Sequence, residues 1–307
     1  MIQIFLYSFA LLLASPYQAV LSPPSDGCKR LPPFTQKMGF DVARAAFSTS
    51  EKRVKGLVYV ELSNDSKKES RTYQDPSWKK FGAMGPIAID EDGAVFVAPV
   101  PMINVLDNPT DKQNILYRVS PMSGAMSQFV NLPSFSVANK KFLPEKNPFG
   151  LLGLTYDCDT KLIYAASVAN SSPESEVGRL FVIEKTKGEV IDMLDGIDAM
   201  GIGVSDVTGQ KRLYVGKTRT SDIVSIGLSP DGKLNKSDIK LEASLDGLGE
   251  RGDDRARKIR FSDKGEMTVR GIEFFYNLIA PTEKQETAYN FRYDAAAKQW
   301  RFYNYGQ

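Results

Sequence analysis

Short segments that alternate apolar and polar residues, separated by turn residues, repeat along most of the chain. They are clearest at 150–196, where two segments joined by a tight turn (GLLGLTYDCDTKLIYAAS) precede a polar loop and a second pair (GRLFVIEKTKGEVIDMLDG). Alternation with a period of two, bounded by Gly, Pro, Asp or Ser, is the signature of strands joined into hairpins. This stretch therefore predicts a unit of four antiparallel strands.

The four-stranded unit recurs at intervals of about 45–65 residues, a period typical of a β-propeller. Its second hairpin has five copies, and its first hairpin precedes four of them; the first unit keeps only a partial match around 40–47. We therefore predict an all-β chain that folds as a β-propeller of five four-stranded blades. Six blades are the alternative, if residues 30–54 hide a degenerate one. The second hairpins begin at Lys55, Asn114, Gly178, Asp222 and Thr287, and the first hairpins at Gly85, Gly150, Gly201 and Arg257.

The N-terminus has a targeting pattern. Residues 2–14 are almost continuously apolar and are followed by small and helix-breaking residues. About 13 apolar residues suit the core of a signal peptide better than a membrane span. We predict a signal peptide at 1–25 with an uncertain cleavage site, an extended arm at 26–39 and a single propeller domain at 40–307. The protein is then secreted or periplasmic; an uncleaved N-terminal membrane anchor is the alternative.

The charge balance narrows the function classes. The chain has 39 Lys and Arg against 37 Asp and Glu, and it has no histidine. This balance does not predict the excess of positive surface charge that nucleic-acid-binding proteins need. The missing histidine removes the commonest general base, the Ser-His and Cys-His nucleophile pairs and every His-containing metal site. No catalytic set stands out, so we favour a binding protein over an enzyme and expect a monomer.

The two cysteines are Cys28 in the arm and Cys158 in a blade. In an exported chain two thiols allow one disulfide. It would close a loop of about 130 residues, which in the chain-entropy model stabilises the fold by roughly 4–5 kcal/mol. An unpaired Cys158 beside a flexible Cys28 is the alternative.

Three connections, at 98–113, 167–177 and 271–286, are long or unusual, and each leaves the second strand of its unit. In a propeller such loops surround one mouth of the central channel, and loops on a rigid scaffold usually hold ligands. We predict that a small molecule, glycan or protein binds there through backbone amides, Asn side chains and cations; alternatively, the polar residues are simply solvated. The candidates are Asn104, Asp107, Asn108, Ser167, Asn170, Lys217, Arg219 and Arg270.

Four aspartates, Asp90, Asp157, Asp206 and Asp263, end the first strands of their blades. They could form a ring of metal ligands. We favour a second interpretation, in which each carboxylate accepts a hydrogen bond from the backbone two residues on and stabilises its turn, on the face opposite the ligand mouth. No cofactor is predicted, because a divalent metal such as Ca²⁺ has no supporting ligand set.

The final hairpin is rich in aromatic residues. They could form a carbohydrate platform, but their alternate spacing favours packing against the neighbouring blade and closure of the ring. They are Tyr289, Phe291, Tyr293, Trp300, Phe302, Tyr303 and Tyr305.

The first hairpin at Gly85–Val97 has the pattern Gly-x-Ile-Ala-x-Asp-x-x-Gly-x-x-x-Val. It resembles secreted propellers of the TolB-like, NHL and gluconolactonase-like kinds, and residues 40–305 as a whole resemble exported propellers of Bacteroidetes-type bacteria. The resemblance implies the architecture but is not specific for activity, because this fold hosts many unrelated functions.

Gluconolactonase-like enzymes hold a divalent metal in the channel with Glu, Asn and Asp. In this chain Met84 stands where their first-strand Glu does, and Met200 stands where their Asn does. No metal ligand is therefore carried over. A diverged metal-dependent lactonase-like hydrolase remains an alternative function, and a structural surface or assembly protein is a third.

Overall fold

A computed structural model describes residues 30–51, 54–63, 71–101, 112–134, 147–262, 264–277 and 286–306. Within these ranges the chain forms five antiparallel sheets in succession, and each strand pairs with its neighbour in sequence. Five such sheets around a common axis make a five-bladed β-propeller. The fold predicted from the repeat is confirmed.

The strand bounds follow the predicted hairpins closely. Blade 1 contains β1 (Ala45–Ser48), β2 (Val58–Glu61) and β3 (Arg71–Tyr73). Blade 2 contains β4 (Met84–Ile89), β5 (Val95–Pro99), β6 (Ile115–Val119) and β7 (Met126–Asn131). Blade 3 contains β8 (Leu151–Asp157), β9 (Leu162–Ser167), β10 (Arg179–Glu184) and β11 (Val190–Asp195). Blade 4 contains β12 (Ala199–Ser205), β13 (Arg212–Lys217), β14 (Asp222–Leu228) and β15 (Leu234–Ser244). Blade 5 contains β16 (Arg255–Phe261), β17 (Glu266–Ile272), β18 (Thr287–Asp294) and β19 (Gln299–Gly306). Two one-turn helices are α1 (Pro33–Lys37) and α2 (Pro76–Lys79).

Blade 1 departs from the four-stranded unit. Its described residues form three strands, in the order β1-β2-β3. The hairpin predicted from Lys55 is β2 and β3, so β1 takes the place of the second strand of a blade. In the part of the chain that the structure describes, no strand takes the innermost place in this blade. The sequence before β2 carries only one short alternating segment, which accounts for the single strand.

The innermost strands of blades 2 to 5 lie side by side around the axis, and glycines allow their close approach. A Cβ at Gly201 would lie 2.6 Å from the carbonyl oxygen of Ala256 and 2.8 Å from the carbonyl carbon of Arg257. Real Cβ atoms do not approach backbone so closely, so any side chain at Gly201 would force β12 and β16 apart. The close approach of these two strands therefore requires a residue without a side chain at position 201.

Apolar clusters hold neighbouring blades together at four places: between blades 1 and 2, 2 and 3, 3 and 4, and 4 and 5. Among the described residues, no apolar cluster joins blade 5 to blade 1. We call this fifth boundary the seam. Representative pairs in the four clusters are Tyr59 with Val95, Phe96 with Leu154, Leu180 with Leu213, and Tyr214 with Val269.

The described part of the N-terminal arm lies against blades 1 and 2, and it contains α1 where the sequence predicted extended chain. Pro33 occupies the first helical turn, where its missing N–H costs nothing. The ring of Phe34 is buried edge-on against Trp78, with ring centroids 6.2 Å apart. The backbone N–H of Phe34 donates to the Pro121 carbonyl at 3.2 Å. In the described ranges, no helix is long and apolar enough to cross a membrane.

Candidate functional site

The two ends of the propeller differ in what they carry. The mouth face carries the starts of the first strands and the ends of the second strands. The turn face carries the tight turns between first and second strands. The sequence places the candidate ligand residues on the mouth face and the aspartate turns on the turn face.

The mouth face is organised by a buried carboxylate. Asp198, between β11 and β12, has no exposed surface. It accepts hydrogen bonds from the hydroxyls of Ser171 and Tyr276 at 2.5 Å, from the Gly178 N–H at 2.8 Å and from Arg219 Nε at 3.1 Å. Burial raises the pKa of Asp198 in spite of these donors. The carboxylate is enclosed on all sides, which makes it a structural anchor and not an accessible catalytic group.

Tyr276 also belongs to an apolar cluster on the mouth face. It packs with Phe149, Val168 and Phe274, and the ring centroids of Phe149 and Phe274 lie 5.3 Å apart. The segment that follows β17 in blade 5 thus reaches residues of blade 3. These contacts fill this part of the mouth face with apolar side chains.

Two of the predicted ligand residues, Ser167 and Arg219, form part of the buried hydrogen-bond networks of the mouth face. Ser167 is buried, and its hydroxyl donates to the Asn114 side chain at 2.6 Å. Arg219 contacts Asp198 and donates to two backbone carbonyls, those of Ser172 and Pro173. The structure thus brings Ser167 and Arg219 into the packing of the mouth face.

The other predicted ligand residues fall in different places. Asn170 adopts a positive φ of 69° in the loop after β9, and Lys217 lies half-buried at the end of β13. Arg270 lies apart from both, in the middle of β17. Three further candidates lie outside the described residues: Asn104, Asp107 and Asn108.

Arg270 belongs to a group of cations on the inner strands of blade 5. It is paired in register with Lys258 of β16, and Arg260 is paired with Thr268. Registered partners share one face of a sheet. The opposite face, with Val269, packs against blade 4. Lys258, Arg260 and Arg270 therefore lie on the face of blade 5 that is turned away from blade 4, toward the seam.

We call Arg257, Lys258, Arg260 and Arg270 the basic wall. Its described carboxylate partner is Glu286, whose Oε1 lies 3.1 Å from Arg257 and 3.2 Å from Lys258. Burial alone would raise the pKa of Glu286, but Lys258 and Arg257 lower it below the ordinary value. The carboxylate is thus ionised, and among the described residues four cations face one negative charge.

The ammonium group of Lys258 has a perturbed pKa although its side chain is in contact with water. Its side chain is 51% exposed, yet the surrounding protein desolvates it and lowers its pKa. The positive charges of Arg257 and Arg260 lower this pKa further, while Glu286 raises it less than the other effects lower it. The charged form of Lys258 is thus destabilised in the folded protein. An anion that binds beside it from the solvent would stabilise that charged form.

The sequence prediction found Arg270 but missed Arg257, Lys258 and Arg260. Their signal is the composition of β16. The first strands of blades 2 to 4 read MGPIAI, LLGLTYD and AMGIGVS, whereas that of blade 5 reads RARKIRF. Four cations on an innermost strand are exceptional for this chain.

The basic wall continues outward into a neutral polar surface on the same face of blade 5. The Thr268 hydroxyl donates to Asn290 Oδ1 at 2.9 Å, and Asn290 Nδ2 donates to Asn304 Oδ1 at 2.8 Å. Next to this ladder, the Arg292 guanidinium lies over the ring of Tyr303, 5.3 Å from its centroid. The final hairpin thus does more than pack against blade 4, although Tyr289, Phe291 and Trp300 do so.

On the turn face, Asp90 behaves as a turn-stabilising residue. Its Oδ1 accepts from the N–H groups of Asp92 at 3.0 Å and Ala94 at 2.8 Å. Asp157 accepts from the N–H of Thr160 at 3.3 Å, three residues on and not two as predicted. This agrees with the turn interpretation at both positions; Asp206 is exposed, and Asp263 lies outside the described residues.

Asp90, Glu91 and Asp92 are also the one group of three carboxylates, within the described ranges, that are close enough together to share a metal ion. The ammonium of Lys185 lies among them, 2.7 Å from Glu91 Oε1 and from Asp92 Oδ2 and 3.6 Å from Asp90. A lysine thus supplies the positive charge that a metal ion would bring.

Cys158 lies partly buried just after β8 and is disulfide-bonded. Cys28 lies outside the described residues. The pairing of the two stays a prediction.

No protein-family model and no curated protein matches the chain. Among solved structures, its neighbours are β-propellers. A protein from Lactobacillus plantarum has a TM-score of 0.52 and 11% identity, over 86% of this chain and 66% of that one. A glucose dehydrogenase has a TM-score of 0.43 and 17% identity over 79% and 76%, and the Dos1 propeller 0.43 and 13% over 72% and 50%. At these identities the likeness establishes the fold alone.

Proposed function

We propose that this chain is an exported, non-enzymatic propeller that binds an anionic ligand at the basic wall of blade 5. The observation that supports the proposal is the charge imbalance there: four cations on β16 and β17 face one described carboxylate, Glu286, beside open solvent. The proposal keeps Arg270 from the sequence prediction and moves the ligand from the mouth loops to the channel side of blade 5.

The chemistry of the wall suits a carboxylate, phosphate or sulfate group. Guanidinium groups present N–H donors in a planar fork that matches such anions, and Lys258 adds a mobile point charge. An incoming anion would reduce the repulsion among the cations and restore the pKa of Lys258 toward its ordinary value. Binding of an anion would therefore offset an unfavourable electrostatic free energy that is already present in the folded protein.

The hydrolase alternative has different requirements. A metal-dependent lactonase needs several carboxylates or amides converging in the channel. The described group of three carboxylates lies on the turn face, and Lys185 is within ion-pair distance of all three. The described geometry therefore supports anion binding more directly than metal-dependent hydrolysis.

Calorimetric titration of the mature protein, residues 26–307, with glucuronate, citrate, phosphate and sulfate tests the proposal, with glucose as the neutral control. We expect at least one anion to bind, more weakly as salt is added. Lys258→Gln and Arg270→Gln should each weaken binding about tenfold, because a hydrogen bond to a charged group contributes roughly 1.5–3 kcal/mol. Lys240→Gln, on the outer strand β15, should bind like the wild type. The proposal is wrong if no anion binds better than glucose, or if the two wall variants match Lys240→Gln.

A further inference from the structure

The basic wall is the inner end of a polar surface that spans the whole width of blade 5. One row of residues in register crosses all four strands: Arg260 on β16, Thr268 on β17, Asn290 on β18 and Asn304 on β19. Neighbouring strands lie about 4.8 Å apart, so the row covers roughly 14 Å from the channel to the rim. We call this the blade-5 polar face.

The outer half of the polar face is electrically neutral. Arg292 is paired with Glu266 at 2.8 Å, and Arg301 is paired with Asp294 at the same distance. Between and beside these pairs lie the amides of Asn290 and Asn304. The excess positive charge is therefore confined to the inner end, at the basic wall.

The outer half also carries a flat aromatic surface. Tyr303 is the extra residue of a bulge in β19, and the Arg292 guanidinium over its ring places it on the polar face. Its side chain is 46% exposed. The aromatic ring thus lies beside the amide ladder and is open to solvent.

The polar face is accessible along its length. The side chain of Arg292 is 66% exposed, and Asn304 at the rim is exposed. Lys258 at the inner end is half exposed. A sheet face covered by a neighbouring blade would be buried, as the opposite face of this blade is, with Val269 and Tyr289 against blade 4.

The kinds of side chain along the polar face, and their order from the channel to the rim, indicate the class of ligand that it binds. Asparagine amides offer both donors and acceptors, of which the ladder uses only part, and hydroxyl groups need both. An exposed tyrosine ring offers an apolar surface for the C–H face of a sugar. Cations at one end only suit a ligand that is charged at one end only.

We propose that the blade-5 polar face binds an oligosaccharide that ends in an acidic sugar. The carboxylate of that sugar contacts the basic wall, and the neutral sugars extend across Asn290 and Asn304 to the ring of Tyr303. The inference rests on the proposed anion site for its inner end and adds the ligand class and the outer contacts.

Four soluble probes separate the two proposals: glucuronic acid, a neutral xylotetraose, a tetrasaccharide of xylose with one terminal glucuronic acid, and tetraglutamate. We expect the acid-ended tetrasaccharide to bind at least about tenfold more tightly than glucuronic acid. Xylotetraose lacks the charge and should bind more weakly than either. Tetraglutamate should bind no more tightly than glucuronic acid, because it carries charge without sugar rings or hydroxyls.

The outer contacts are tested by Tyr303→Ser, with Tyr305→Ser as the matched control. Tyr305 is equally exposed, at 48%, but its ring lies on the opposite face, beside Tyr289. Tyr303→Ser should remove most of the gain for the acid-ended tetrasaccharide and leave glucuronic acid binding unchanged. Asn290→Ala should act in the same way, and Tyr305→Ser should have no effect. Melting curves establish that each variant is folded.

The outcomes are distinct. If glucuronic acid binds and depends on Lys258, but the tetrasaccharide gains nothing over it, the anion site stands and the glycan inference is wrong. The inference is also wrong if Tyr303→Ser and Tyr305→Ser behave alike. If neither glucuronic acid nor the acid-ended tetrasaccharide binds, the glycan inference is wrong, and the titrations with citrate, phosphate and sulfate decide whether the anion site stands.

Discussion

At the scale of single residues, small side chains on the innermost strands were visible in the sequence, and the structure shows why they are needed. Gly201 lies against the backbone of β16, so the packing of blade 4 on blade 5 requires the absence of a Cβ. The site was less predictable. Arg270 was selected as a loop-end cation, whereas the register that places it beside Lys258 depends on a bulge in β16 that no local pattern encodes.

Gly201→Ala should destabilise the protein, because its Cβ would lie 2.6 Å from the Ala256 carbonyl oxygen and would force two strands apart. Overpacking of this kind costs about 1–3 kcal/mol. Urea unfolding measures the change. The matched control is Gly306→Ala on β19, where nothing lies within 4 Å of the added atom and the stability should not change. Equal stability of the two variants would contradict the close approach.

At the scale of elements, the hairpins were predictable because alternation and turn residues are local properties. The arm was not, since α1 has a single turn and leaves no periodic signal. Its position depends on Phe34, whose ring lies between those of Phe47 and Trp78 and against Gly124. These partners lie in blade 1, in α2 and in blade 2, so tertiary contacts and not helix propensity hold this segment.

Phe34→Ala should therefore weaken the whole fold and not only loosen the arm. Deleting a buried phenylalanine ring removes its transfer free energy and leaves a cavity, at a cost of about 3–5 kcal/mol. The denaturant midpoint should fall while the transition stays cooperative. Met122→Ala, at an exposed side chain (64%) in the turn after β6, is the control and should change stability by less than about 0.5 kcal/mol. A midpoint for Phe34→Ala that matches the control would show that the arm does not contribute to the core.

At the scale of the whole molecule, apolar clusters of described residues join the blades at four boundaries but not at the seam. Blade 5 has one apolar face, against blade 4, and one polar face. That asymmetry was present in the sequence, since EMTVR on β17 and YNFRYD on β18 alternate between polar and apolar residues. The regular alternation in blade 5 is the signature of a sheet with one solvated face.

The environment of Lys258 at the seam also predicts that the free energy of unfolding of the protein depends on pH. Burial, followed by the charges of Arg257 and Arg260, lowers the pKa of Lys258 in the folded protein. The unfolded chain keeps a lysine pKa of about 10.4, so between the two values it binds more protons than the folded state. The contribution of Lys258 to the free energy of unfolding therefore rises with pH between the lowered pKa of the folded state and the pKa of the unfolded chain. Below the lowered pKa, the charged lysine is a constant cost to the folded state.

Lys258→Gln removes that cost and should be more stable than the wild type at pH 7, although it binds anions more weakly. The difference should shrink as the pH rises toward about 10.4, because the wild-type lysine loses its proton. Urea unfolding of both proteins from pH 7 to 10.5 measures it, and other groups that titrate in this range cancel in the difference. Lys240→Gln, at an exposed lysine 3.4 Å from Asp238, is the control and should not be more stable than the wild type at pH 7. Two outcomes would contradict this prediction: a Lys258→Gln variant that is less stable than the wild type at pH 7, or one whose extra stability does not change with pH. Either outcome would mean that the basic wall does not destabilise the folded protein. The electrostatic argument for an anion at the seam would then be wrong.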